Sequence, residues 1–105
     1  LKKRKDINKM NIENVRKNMK IHSGETFKTR IGSEFTMTYD GGNTFDVAVV
    51  NGKTHCCTIS NLERVIDAVN NGTITLISPI ASITTRAGCT ASTSYIVGLL
   101  SDGRI

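Results

Sequence analysis

From Glu34 to Tyr39 apolar and polar residues alternate without a break, and this stretch constrains the fold more than any other. A period of two is that of a half-buried strand, with Phe35, Met37 and Tyr39 on one face. Asp40-Gly41-Gly42-Asn43 is turn chemistry, after which Phe45, Val47 and Val49 resume the alternation. Asn51-Gly52 suits the positive φ values of a type I′ hairpin, so Lys53 to Thr58 is expected to fold back as a third strand. Thr26 to Ile31 alternates as well and predicts a fourth strand at an edge, where Lys28 and Arg30 would discourage pairing with another chain. Ser60-Asn61-Leu62-Glu63 reads as a capping box, with Ser60 capping the helix and Glu63 reaching back. Leu62, Val65, Ile66 and Val69 then follow at helical spacing, and Gly72 stands as the residue after the C-cap.

Helices are also expected at both ends. From about Met10, Ile12, Val15 and Met19 share a face, with Asn11 or Asn8 as cap and Ser23-Gly24 as the stop. Ser92 or Thr93 starts a last helix carrying Tyr95, Ile96, Leu99 and Leu100. Gly98 inside it is unfavourable by about 1 kcal/mol relative to Ala unless a neighbour needs to come close. Between these, Thr73–Ile77 and Ile80–Thr85 read as a β-hairpin wing, separated by Pro79. The expected fold is α+β: an antiparallel β-meander of three to four strands with about three helices packed on it. Residues 1–9 read as a basic tail or linker, and 10–105 as a single domain.

Charge is unevenly placed. Residues 1–20 carry eight Lys/Arg against Asp6 and Glu13, a balance of +6, whereas the other 85 residues carry six against seven acids. A basic arm on a near-neutral body suits a polyanion. No apolar run approaches the roughly 18 residues of a membrane span, and the charged N-terminus lacks the apolar segment of a signal peptide. The first residue, Leu1, points to a longer parent chain. Three cysteines, Cys56, Cys57 and Cys89, give an odd count without framework spacing, which favours a reducing, cytoplasmic setting.

Chemistry-bearing motifs are few. His55-Cys56-Cys57 is too tightly spaced for a metal site, which wants pairs separated by two or more residues. On a strand His55 and Cys57 share a face, but no third group marks a nucleophile pair, and cysteine is a common core residue. Asp40, Asp46 and Lys53 lack the Glu-x-Lys arrangement of a metal nuclease. Asp40-Gly41-Gly42-Asn43 lacks the spacing and the following helix of a phosphate loop. The expectation is a non-enzymatic chain with no cofactor and no metal.

Two functional classes remain. The first is nucleic-acid binding, DNA rather than RNA, through Lys2, Lys3, Arg4, Lys5 and Lys9 of the arm and Arg16, Lys17 and Lys20 of the first helix. Lys28, Arg30 and Arg86 are further candidates, with Asn14 and Asn18 beside the helical cations. Only five aromatics are present, and Phe35, Tyr39 and Phe45 look core-facing, so a stacking platform for single strands is not expected. The second class is a protein-interaction module, such as an accessory domain of a larger enzyme or a mobile-element-encoded inhibitor of a host protein. No membrane partner is expected. Convergence of the cations on one face favours nucleic acid; scatter, or an exposed apolar patch, favours a protein partner.

Overall fold

The computed structural model describes residues 9–105. The order is α1 (Ile12–Ile21), β1 (Thr26–Lys28), β2 (Glu34–Thr38), β3 (Thr44–Val49), β4 (Thr54–Thr58), α2 (Ile59–Asn70), α3 (Ile80–Ala87) and α4 (Thr93–Leu100). The four strands form one antiparallel meander in sequence order. Phe27 pairs with Phe35, Met37 with Val47 and Phe45 with Cys57, so the apolar side chains of all four strands line one face. Against that face pack Val15 and Met19 of α1, Leu62, Val65 and Ile66 of α2, Ile83 of α3, and Ile96, Val97 and Leu99 of α4. The opposite face is rich in threonine and carries Thr26, Thr36, Ala48 and Thr54 in one row.

The hairpins at one end of the sheet are built alike. Thr29 N–H bonds Ser33 C=O and Val49 N–H bonds Lys53 C=O, leaving the three-residue loops Arg30-Ile31-Gly32 and Val50-Asn51-Gly52. In each, the glycine takes a left-handed φ, +89° at Gly32 and +88° at Gly52. The second loop is therefore a type I turn closed by a left-handed glycine rather than the expected two-residue I′ turn, because Val50 and Asn51 keep negative φ.

Two further expectations are corrected. Thr58, not Ser60, caps α2: it is the last, still extended residue of β4, and its hydroxyl accepts from Asn61 N–H at 3.1 Å. The helix starts there because Ile59 must enter the core while its own N–H still bonds Asn43 C=O. The β-hairpin wing at Thr73–Thr85 is absent; Ile80–Ala87 is helical, giving four helices among the described residues. Pro79 is the reason, since it occupies the N-cap of α3 with an extended ψ of 140° and needs no N–H there. Ile80, Ile83 and Ala87 then face the core, and the Thr84 hydroxyl donates back to Ile80 C=O at 2.9 Å. The expected Asn11 cap and Gly72 terminator stand: Asn11 accepts from Glu13 and Asn14 N–H, and Gly72 has φ +76°.

Candidate nucleic-acid interface and the surfaces around it

The cations expected to act together fall at different places. Lys2, Lys3, Arg4 and Lys5 lie outside the described residues. Lys9 is exposed just before α1, and Lys17 and Lys20 are exposed on the helix itself. Arg16 is not on the solvent side with them. It is half-buried, with Nε donating to the Tyr39 hydroxyl at 2.8 Å and Nη2 to the Gly41 and Gly42 carbonyls at 3.1 and 3.2 Å. The Tyr39 hydroxyl in turn donates to Gly42 C=O at 2.8 Å, so one guanidinium clamps α1 to the β2–β3 turn. Lys20 lies along the same turn, its Nζ 3.7 Å from where a Cβ on Gly41 would be.

Two other contacts fix the helix. Asn70 exchanges a pair of hydrogen bonds with the Met10 backbone at 2.9 and 2.8 Å. Asn18 is half-buried and its amide donates to Ile105 C=O at 3.0 Å, so it is not beside the free lysines as an open donor; Asn14 is exposed. The presenting surface of α1 and its lead-in is thus Lys9, Asn14, Lys17 and Lys20, with Glu13 among them.

Lys28 and Arg30 do not join this surface. In an antiparallel meander the β1–β2 and β3–β4 loops lie at the end opposite the β2–β3 turn. Arg30 sits at that far end, donating to Ser78 C=O at 2.6 Å and to Leu76 C=O, which ties the segment before α3 to the hairpin. Lys28 is on the threonine face, opposite Glu34. Arg86 is exposed in the last turn of α3.

The same far end exposes apolar side chains. Ile31 and Val50, in the two loops, are 88% and 84% exposed. With Val49, Ile80 and Tyr95 they wall a groove of about 880 Å³ that also touches Ser33, Glu34 and the start of α4.

A third cluster is not legible in the sequence. Arg104 Nε and Nη2 bind Asp102 at 2.9 and 3.0 Å, Nη1 binds Glu25 at 2.9 Å, and Nη2 also donates to Thr26 C=O. Its guanidinium lies 4.0 Å from the Phe27 ring centre. Hydrogen bonds from His22 and Arg104 hold the Glu25 carboxyl below its ordinary range, and those from Arg104 do the same to Asp102. The only local signal is the Asp102–Arg104 spacing; Glu25 is 79 positions away.

His55-Cys56-Cys57 is divided between faces. The His55 ring stacks on Tyr95 with centres 5.5 Å apart. Cys57 is buried, its Sγ 3.9 Å from the His55 carbonyl, and burial pushes its thiol up. Cys56 is exposed on the other face. Asp40 accepts from Gly42 N–H at 3.0 Å within its own turn, far along the sheet from Lys53. Among the described residues no three His, Cys, Asp or Glu side chains gather as a metal site requires, and no helix is long and apolar enough to cross a membrane. Comparison with known protein families, curated proteins and solved structures finds no match to this chain.

Proposed function

We propose that this chain is a non-enzymatic nucleic-acid-binding domain, favouring duplex DNA over RNA, that engages phosphates through its first twenty residues. The observation that carries the reading is the segregation of charge: +6 in residues 1–20 against −1 in the rest. Within that segment Lys9, Lys17 and Lys20 are exposed while Arg16 anchors the helix, so the ammonium groups stand on a fixed platform. Phosphate contact by lysines positions a duplex without reading its sequence. Four of the five aromatic residues, Phe27, Phe35, Tyr39 and Phe45, are buried and offer no stacking surface, and Tyr95 already stacks on His55, which favours duplex over single-stranded targets. Lys28, on the threonine face, and Arg30, tied to Leu76 and Ser78 at the far end of the sheet, are left out of this proposed interface.

The test is fluorescence anisotropy with duplex DNA and duplex RNA at roughly 50 and 200 mM salt. The full chain is compared with Lys17→Gln/Lys20→Gln and with a variant carrying Ser at positions 2–5. Removing one lysine–phosphate pairing lowers the log–log salt slope by about 0.9. The double lysine variant is therefore expected to lower the slope by about 2 if each lysine meets one phosphate. Absence of binding at low salt, or a slope indifferent to both variants, would sink the reading.

The scatter of Arg16, Lys28 and Arg30 and the exposure of Ile31 and Val50 beside the groove weigh on the other side, for a protein-interaction module, and this second reading stands on them. An exposed apolar patch rimmed by polar groups marks protein contact, here with an apolar segment of a partner. Ile31→Asp/Val50→Asp should abolish binding of amphipathic peptides and leave DNA affinity unchanged.

A further inference from the structure

We propose that β4 is a pairing edge through which two copies of this chain join their sheets antiparallel, with Cys56 on the two-fold axis. The two edges of the sheet are treated differently. On β1 the outward-pointing residues are Thr26 and Lys28, because Phe27 belongs to the ladder with β2. The Thr26 carbonyl accepts from Arg104, and the Lys28 carbonyl is covered by Gly98, whose α-carbon approaches so closely that no Cβ would fit. That edge is also only three residues long and bears a lysine.

On β4 the ladder bonds of Val49 with Lys53 and of Ile59 with Asn43 fix the alternation. The N–H groups of Thr54, Cys56 and Thr58 and the C=O groups of Thr54 and Cys56 therefore point away from β3. Among the described residues nothing accepts from or donates to them. Thr54, His55 and Cys56 are all exposed, including His55, which is on the helix-covered face. The strand has none of the devices that block edge pairing: no charge, no proline and no bulge within Thr54–Thr58.

A second copy fits this edge because the strand is nearly self-complementary about its centre. With Cys56 of one copy opposite Cys56 of the other, Thr54 meets Thr58 and His55 meets Cys57. No like charges meet at the axis, which an isologous contact requires. The two Cys56 residues exchange both main-chain hydrogen bonds, and each Thr58 N–H donates to Thr54 C=O of the other copy. A hydrogen-bonded antiparallel pair brings the two Cys56 α-carbons to about 5.5 Å.

The experiment is sedimentation of the full chain in reducing buffer from micromolar to millimolar concentration, with no nucleic acid present, so its result is independent of the DNA-binding reading. The wild type is expected to pass from 11.4 kDa to twice that mass. Cys56→Lys puts two ammonium groups together at the axis and should raise the dissociation constant by up to about fivefold, through like-charge repulsion between directly opposed residues that Asp46, across from position 56 on β3, offsets only in part. Thr38→Lys, on the same face but two strands inward, should leave the dimer intact. Cys56→Pro deletes the central outward donor without touching the β3 ladder, and should weaken the dimer as well; circular dichroism checks that it folds. A wild type that stays monomeric to millimolar concentration overturns the proposal and leaves the edge to a strand from another protein. A dimer as tight in Cys56→Lys as in the wild type overturns it too.

Discussion

Gly98 in α4 meets the main-chain carbonyl of Lys28 in β1: a Cβ at position 98 would lie 2.5 Å from that oxygen and 3.2 Å from the Thr29 α-carbon. Backbone cannot swing aside as a side chain can, so either the helix or the edge strand must move to admit a methyl group. Alanine would otherwise improve the helix by about 1 kcal/mol. Overpacking of this kind costs about 1–3 kcal/mol, and with covered main chain also displaced, Gly98→Ala is expected to lose about 2 kcal/mol net. Urea unfolding measures it. Equal or greater stability in the variant would show that β1 is not held against α4.

Arg16 and Lys17 are adjacent in sequence and opposite in role. Arg16→Met removes three hydrogen bonds and leaves the Tyr39 hydroxyl oxygen and the Gly41 carbonyl without their donor, while the Gly42 carbonyl keeps the Tyr39 hydroxyl. A hydrogen bond to a charged group is worth about 1.5–3 kcal/mol, and a loss in that range is expected. Lys17→Met, at an exposed position, should stay within about 0.5 kcal/mol of the wild type. DNA affinity should rank them the other way, with Lys17→Met weaker. If Arg16→Met is the weaker binder while fully folded, the guanidinium reaches phosphate and the anchoring role is wrong.

The Arg104 cluster predicts an acid-side dependence of stability. Glu25 and Asp102 both have carboxyl groups held below their ordinary range, Glu25 by hydrogen bonds from His22 and Arg104 and Asp102 by those from Arg104. A depressed folded value means that the unfolded chain takes up protons first as the pH falls. The stabilisation is therefore present above the unfolded carboxylate range, near pH 4, and is lost on further acidification. Glu25 is exposed and Asp102 only partly buried, so the effect is expected to be small. The Tm of the wild type should fall more steeply between about pH 5 and pH 2 than that of Arg104→Met. Parallel curves for the two proteins would dismiss the cluster as a surface arrangement without consequence.

The thiols give a test of burial. Cys56 is exposed, whereas Cys57 and Cys89 are 2% and 7% exposed, and burial also raises the Cys57 thiol above its ordinary value. The thiolate is the reacting form. One thiol per chain should react quickly with an aromatic disulfide at neutral pH, and the other two only at the rate of unfolding. Cys56→Ser should remove the fast phase entirely. Two fast thiols in the native protein would mean that Cys57 or Cys89 is not held in the core.

What the sequence discloses and what it hides follow from the range of the interactions involved. Phe35, Met37 and Tyr39, or Leu62, Val65 and Ile66, announce their elements because the period of the backbone is written into neighbouring residues. The same local logic exposes Asn11 as a cap and Gly98 as a point of close approach. Ile80–Ala87 misleads because isoleucine and threonine are β-branched, so propensity points to strand while the Ile80, Ile83 and Ala87 spacing points to helix. Pro79 has the chemistry of a breaker, yet it stands where a helix tolerates it. The exposed lysines of α1 are legible from the helical face alone. The anchoring of Arg16 by Tyr39 depends on the sheet bringing together residues 23 positions apart, and Arg30 reaches a carbonyl 48 positions away; no local pattern encodes either.

The start of α2 separates two sequence signals that compete within three residues. Ser60 and Glu63 match a capping box, but both are exposed and the Thr58 hydroxyl makes the cap, at 3.1 Å from Asn61 N. Thr58 is also the hinge at which the chain passes from strand to helix without a loop. Removing an N-cap hydroxyl costs about 1 kcal/mol, so Thr58→Ala is expected to destabilise by that amount. Thr58→Ser, which keeps the acceptor, should recover most of it. Ser60→Ala falls inside the helix, where alanine is the better former, and should be neutral or slightly stabilising. Chemical denaturation of the three variants decides the matter: a larger loss at Ser60 than at Thr58 would move the helix start along the chain and restore the capping box.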